Sequence, residues 1–279
     1  MIEIGKYNEL EIRRMVEFGA YLAEKEGDTE VLLPRRYLTD DMRPGDALKV
    51  FVYRDSEDRP VATTEKPYAT VGEFAYLTVT AVNDVGAFMA WGLVAKELLV
   101  PYSEQRAPMR RGGIYLVYIY LDKATGRVAA STRTEKFLGN VYPDYKPGAE
   151  VEALLTEHCE IGYRCIVDNL HRGIIYSNEI YKPIEGEQHI KGWVKRVRDD
   201  GKIDLTINDR ADRRTGALAE RIMSYLGQSG AMPLSDKMPP AHIEMLFQCS
   251  KKDFKKAVGH LYRERRIAIA ADGTIVKPG

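Results

Sequence analysis

The sequence predicts a mainly β chain with a small α/β module at its C-terminal end, and three observations predict it. A pattern recurs along the chain, apolar residues alternate in short runs between turn formers, and the last quarter shifts to a helical period. The recurrence is clearest at Val85-Gly86-Ala87-Phe88-Met89, followed by Leu98-Leu99-Val100-Pro101 and by Ile114 to Leu121. Moving back 67 positions gives Phe18-Gly19-Ala20-Tyr21-Leu22, then Leu32-Leu33-Pro34, then Leu48 to Tyr53. At that offset Gly112 falls on Gly45, Asp122 on Asp55, and Val128-Ala129 on Val61-Ala62 without a gap. A third, more diverged copy begins near Val151, with Ile161-Gly162 and then Gly173-Ile174-Ile175-Tyr176. Four units follow: copies at 1–66, 67–145 and 146–213, and a different module at 214–279. Units this small bury modest cores, so neighbouring units are expected to contribute to each other's stability.

Copy one carries short strand signals at Tyr21-Leu22, Val31 to Leu33, Leu48 to Tyr53 and Val61 to Thr63. Turn formers separate them: Glu26-Gly27-Asp28, Arg43 to Asp46 and Asp55 to Asp58. That spacing indicates a small antiparallel barrel. In copy two, Phe74 to Val82 is the first strand, and Asn83-Asp84-Val85-Gly86 turns into the second. Ala95 to Leu98 reads as one helical turn, and Ile114 to Leu121 pairs with Arg127 to Ser131. Copy three offers Val151 to Leu155, Gly162 to Val167, Gly173 to Tyr176, Ile190 to Val197 and Ile203 to Ile207, the last two joined by the hairpin signal Asp199-Asp200-Gly201. Five strands closed in Greek-key order make an OB-fold, which binds ligands over strands two and three and the adjoining loops.

Arg210 to Arg214 reads as a charged linker. Beyond it, Leu218, Ile222, Met223 and Leu226 share one helix face, and Pro239-Pro240 opens a second helix through Phe247. Gly230 to Met238 is a short strand or loop. Ser250-Lys251-Lys252-Asp253 is a capping box for a third helix, whose apolar stripe is Phe254, Ala257, Val258, Leu261 and Tyr262. Ile267 to Ala270 and Thr274 to Val276 flank Asp272-Gly273 as a hairpin. Three helices and a terminal hairpin predict a winged helix.

The totals exclude several classes. Of 279 residues, 44% are hydrophobic and 29% charged, the composition of an ordinary soluble chain. No run of about 18 apolar residues predicts a membrane span, and Met1 to Lys6 has no signal-peptide character. With three cysteines, a disulfide framework is not expected, and the reading is a cytosolic protein. Net charge is zero, yet residues 214–279 hold 11 Lys/Arg against 6 Asp/Glu while the remainder holds 30 against 35. A basic terminal module on a slightly acidic body points to an anionic partner.

No phosphate-cradling Gly-rich loop, dinucleotide fingerprint, His-Glu-x-x-His helix or Gly-x-Ser-x-Gly elbow occurs, which narrows the field of enzymes, and no cofactor is expected. Asp40-Asp41 and Asp199-Asp200 lie in predicted turns, where Asp bonds the backbone. His158, Cys159, Cys165 and His171 fall within 14 residues, but six positions between the cysteines is wider than a zinc turn uses, and core placement is expected instead. The rings are more informative, because OB-type barrels stack bases on aromatic side chains. Phe18 and Tyr21 flank Gly19-Ala20, Phe88 takes Tyr21's place in copy two, and copy three has Tyr163 and Arg164 beside Gly162, then Tyr176. Alternation along a strand would send one of Phe18 and Tyr21 into the core. Lys251, Lys252, Lys255, Lys256, Arg263, Arg265 and Arg266 surround the stripe of the last helix as a cationic footprint for a nucleic-acid backbone, or as a solvated face.

Gly173-Ile174-Ile175-Tyr176-Ser177-Asn178-Glu179-Ile180 resembles the Gly-Leu-Val-His-x-Ser-Glu-Leu segment of the S-one RNA-binding repeat of ribosomal proteins and ribonucleases. Asn83 to Met89 resembles that repeat's Asp-x-Gly-Ala-Phe-Val turn, and Leu99 to Glu104 keeps the later pattern with Pro for His. Three such barrels followed by a winged helix resemble the conserved virulence factor B family of bacterial RNA-binding regulators, over essentially the whole chain. The resemblance implies RNA binding without catalysis, with single-stranded RNA as partner, the ribosome or RNA-processing proteins as further partners, and no membrane. By position, it puts stacking at Phe18, Tyr21, Phe88, Arg164 and Tyr176. Val85 and Ile161 stand where the turn's first aromatic is expected, and Pro34 and Pro101 where the His is. Two other readings stay open: a winged-helix reader of duplex DNA whose barrels sense or dimerise, and a protein-binding scaffold.

Overall fold

The computed structural model describes residues 1–177, 180, 184, 189–207, 211–229, 231–232, 238–270 and 274–276. Three five-stranded closed barrels are followed by a helical module with a small sheet. Barrel one contains β1 (Lys6–Val16), β2 (Gly19–Ala23), β3 (Glu30–Pro34), β4 (Ala47–Arg54) and β5 (Pro60–Thr63). Barrel two contains β6 (Phe74–Val82), β7 (Gly86–Leu93), β8 (Lys96–Pro101), β9 (Ile114–Leu121) and β10 (Val128–Ser131). Barrel three contains β11 (Glu150–Cys159), β12 (Gly162–Val167), β13 (His171–Tyr176), β14 (His189–Val197) and β15 (Ile203–Thr206). All three close in one order, first-second-third-fifth-fourth strand, with the third and fifth parallel. That is the Greek-key barrel expected from the repeat.

The first strand of copy one has no counterpart among the sequence signals. In Lys6–Val16 only Leu10 and Ile12 are buried, the rest being largely charged or polar. Pairing with both β2 and β4 makes it a strand, not its own hydrophobic pattern. Ala95 to Leu98 is not a helical turn: Val94 and Ala95 form the tight turn that feeds Lys96 into β8, whose Leu98 and Val100 point into the core. The ungapped offset holds through the fourth strand and then slips by one. Tyr53 pairs with Val61, whereas Tyr120 pairs with Ala129, because the second hairpin is one residue longer. Asp55 closes its turn on Arg59, and Asp122 closes on Arg127.

The chain forms two compact units, residues 1–138 and 139–279. In the first, β4 is buried on both faces. Val50 and Val52 fill barrel one, while Phe51 and Tyr53 join the core of barrel two. Trp91 meets Phe51 edge-on at 5.4 Å and donates its indole N–H to the Ala69 carbonyl at 2.8 Å. Arg127 with Asp58, and Arg54 with the Gly126 carbonyl, tie the rim of that contact.

In the second unit, barrel three has its own apolar core of Val151, Ala153, Val167, Ile175, Val194 and Leu205, among others. The terminal module holds α1 (Ala211–Ser229), α2 (Pro240–Phe247), α3 (Lys251–Arg263), and a sheet in the order β16 (Ala231–Met232), β18 (Ile275–Val276), β17 (Ala268–Ile269). Residues 211–214 are helical, so the segment expected as a charged linker is the first turn of α1; Arg210 lies outside the described residues. Ser250 caps α3 by accepting from the Asp253 amide at 3.1 Å, as the capping box requires. Asn178-Glu179 and Asp272-Gly273 also lie outside the described residues. Among the described residues no helix is long and apolar enough to cross a membrane.

Candidate nucleic-acid interface

One hairpin is built the same way three times. Gly19, Gly86 and Gly162 each open the second strand of a barrel and pair with Pro34, Pro101 and Tyr176 on the third. A Cβ at these glycines would sit 2.0 to 2.3 Å from the backbone oxygens of Leu33, Val100 and Ile175. Only glycine lets the strands approach this closely, which explains why the motif keeps it. The residue before each glycine is thrust outward by the turn: Phe18 is 58% exposed, Val85 51% and Ile161 56%. Two positions beyond each glycine, on the outer barrel face, stand Tyr21, Phe88 and Arg164. Opposite them on the first strand stand Arg14, Ala81 and Glu157, each just past a bulge. Thr80 and Thr156 fill that bulge in copies two and three, donating to the carbonyls of Phe88 and Arg164.

Barrel one gathers the richest set. Phe18 lies in the turn rather than on β2, so strand alternation does not apply to the pair and neither ring enters the core, contrary to expectation. Phe18 meets Tyr21 edge-on at 6.4 Å, and the Arg14 guanidinium lies 4.0 Å over the Tyr21 ring, held by Glu30 at 2.8 Å. Arg35 donates to the Glu17 carbonyl, and exposed Arg36 lies over the ring of Tyr37. Rings and cations thus share one end of this barrel.

Barrel two keeps a half-exposed Phe88 with no charged residue opposite. Its turn is fixed by Asn83, which accepts from the Val85 amide, and by the Tyr102 hydroxyl, which donates to the Asn83 carbonyl at 2.6 Å. In barrel three, Tyr163 faces the core side and packs against it beside His158, so of the neighbouring pair only Arg164 is outward. Arg164 is paired with Glu157 at 2.7 Å.

Tyr176 belongs to a network that sequence reading missed. Asp204, only 3% exposed, accepts from Arg196 Nε at 2.6 Å and Arg198 Nε at 2.7 Å, and Arg198 Nη2 also donates to the Tyr176 hydroxyl. Burial pushes the Asp204 carboxyl up, but the hydrogen bonds from Arg198 and Arg196 outweigh it and hold it below the usual carboxylate range. The signal was an acid breaking the apolar run Ile203-Asp204-Leu205 opposite two arginines two residues apart.

Of the metal candidates, Cys165 is buried and its thiol is pushed up to about 12 by burial, which disfavours the thiolate a metal needs. His171 is buried too, and burial lowers its pKa. No group able to hold a metal ion occurs among the described residues.

On the terminal module, Lys252, Lys255, Lys256, Arg263 and Arg265 are exposed along and just past α3. Lys251 is half-buried and donates to the Met238 carbonyl at 3.1 Å, so it anchors the helix start. Arg263 Nε turns back to its own helix at the Gly259 carbonyl, and Arg266 pairs with Glu220 at 2.7 Å.

Residues 4–65 match the S1 domain model, and residues 220–275 match the CvfB-like winged helix domain. Over 279 aligned residues the chain is 25% identical to conserved virulence factor B of Staphylococcus haemolyticus, covering 95% of this chain and 92% of that one. Along nearly its whole length the chain is similar to the conserved virulence factor B family, whose winged-helix model it matches at its end. A Bacillus subtilis relative, protein YitL, is 29% identical over 94% of this chain and 90% of its own. A solved multidomain protein from Streptococcus pneumoniae, described as having nucleic acid binding domains, is 23% identical over 98% of both chains with a TM-score of 0.40. An S1 domain and a CvfB-like winged helix on one chain point to a nucleic-acid-binding regulator.

Proposed function

We propose that this virulence factor B relative is a non-catalytic cytoplasmic regulator that grips single-stranded RNA through its barrels, with the winged helix adding cationic contacts. The domains would be 1–66, 67–145, 146–213 and 214–279. The observation that carries the reading is the thrice-built hairpin, which holds an apolar side chain in solvent and a ring or guanidinium beside it. Exposed apolar groups at one repeated position cost solvation in the free protein, and base stacking recovers about 1–3 kcal/mol for each ring. Phe18, Tyr21 and Phe88 supply rings, Arg164 and Tyr176 the corresponding positions of barrel three, and Lys252, Lys255, Arg263 and Arg265 the cations of the winged helix. Lys251 contributes through the position of the helix it anchors.

Titration of the full chain with a labelled pyrimidine-rich RNA oligomer at two salt concentrations tests this. Saturable micromolar binding that weakens with salt is expected, and Phe18→Ala with Phe88→Ala should weaken it at least tenfold with the fold intact by circular dichroism. No saturable binding in low salt would remove the reading. Preference for duplex DNA of matched length would instead select the winged helix as reader.

A further inference from the structure

Arg14 emerges from neither the repeat nor the rings, yet it occupies an exposed side of the barrel-one cluster. It pairs directly across from Tyr21 on β1, and its guanidinium lies 4.0 Å over the Tyr21 ring. Tyr21's other cross-strand partner is Leu32 on β3, and Phe18 stands edge-on to it. A base approaching this platform on the side of β1 therefore meets the guanidinium before the phenol ring.

We propose that Arg14 is a base-stacking residue of barrel one: Glu30 holds its guanidinium over Tyr21, and the outer face receives a nucleobase of single-stranded RNA. The inference rests on the RNA-binding reading and deepens it by naming the layer the base touches. A guanidinium is planar, weakly hydrated and stacks on aromatic faces, so a base, a guanidinium and a phenol ring can form three successive layers. Glu30 fixes one edge of that plane with a charge-assisted hydrogen bond at 2.8 Å and so restricts its rotation before a base arrives. The side chain is more than half exposed and keeps its outer surface in water.

The other barrels show what this arrangement distinguishes. In barrel three the same two positions hold Glu157 and Arg164, so the guanidinium lies on the second strand, paired to an acid, with no ring at that position to back it. In barrel two they hold Ala81 and Phe88, a ring with no guanidinium above it. Only barrel one layers a guanidinium on a ring at this pair, and the proposal is confined to it.

The lysine variant separates stacking from charge. Arg14→Lys retains the cation and loses the plane, whereas Arg14→Ala loses both; each position is on the outer surface, away from the barrel core. Full-length chain is titrated with the labelled single-stranded RNA used above, at two salt concentrations, with thermal melts as a folding control. Both variants should bind about tenfold more weakly than the unsubstituted chain, with Arg14→Lys keeping its salt dependence, and Glu30→Gln should show a smaller loss in the same direction. Unchanged binding by Arg14→Lys would reduce the residue to a charge, and unchanged or tighter binding by Arg14→Ala would make it a bystander or a cover over Tyr21; either overturns the inference while the RNA reading stands. Absence of binding by the unsubstituted chain removes the reading and the inference together.

Discussion

At the residue scale, Asp204 shows how a buried acid organises a surface. It is nearly sealed from water, yet two guanidiniums reach it from β14 and its end, one of them also holding the Tyr176 hydroxyl. Its carboxyl is held below the ordinary value of about 3.9, so its contribution to stability is fully present above that value and is lost as pH falls through the lower, folded value. Asp204→Asn keeps the shape and removes the charge. Because Arg196 is well exposed, its guanidinium regains water, so the cost is about 1–3 kcal/mol rather than that of a stranded buried charge. The chain has two tryptophans, and Trp193 lies in barrel three. In a Trp91→Phe background its fluorescence isolates that barrel's unfolding in urea. The asparagine variant should lower the midpoint at pH 7 and shrink the gap between pH 7 and pH 3. A gap of unchanged size would assign the acid sensitivity to other groups.

At the element scale, what was legible tracks what each segment carries in its own residues. Strands with alternating apolar residues, such as Leu48 to Tyr53 and Phe74 to Val82, were readable, and so was α3 from its cap and stripe. β1 was not, because its two buried residues become a strand only through pairing with β2 and β4. The start of α1 was missed for a related reason: Asp212, Arg213 and Arg214 read as linker by charge, although Arg is a good helix former and the helix runs through them. At the candidate site, the residues flanking each glycine were found from the repeat, but Arg14 and Asp204 were not, since their roles depend on cross-strand neighbours far away in sequence. The Ser250 cap was fully legible, and it offers a clean measurement. Ser250→Ala leaves the Asp253 amide without its acceptor and should cost about 1 kcal/mol, read as a lower urea midpoint. No change would mean that the helix start is held by Lys251 on the Met238 carbonyl instead.

At the scale of the whole molecule, the first two barrels share a core while each keeps an outer hairpin of its own. Trp91 is the centre of that shared core, and removing it with Trp91→Ala should cost about 3–5 kcal/mol. Loss of the exposed Arg127–Asp58 pair by Arg127→Ala should change stability far less, as is usual for a solvent-screened surface ion pair. Calorimetry of the full chain distinguishes the two, because a shared core makes barrels one and two melt together and Trp91→Ala should shift both. The coupling bears on binding. Repeated sites on one chain turn a second contact with the same RNA into an intramolecular event, raising affinity without new contacts. Each OB-type barrel covers about 4–16 nucleotides, so oligomers too short to reach a second barrel should bind weakly, and affinity should step up once one strand spans two. The step should shrink in the chain carrying Phe18→Ala with Phe88→Ala, which blunts two of the three hairpins. If affinity instead rises smoothly with length, in proportion to the number of ways a single site can be placed along the strand, then one barrel binds and the others are spacers.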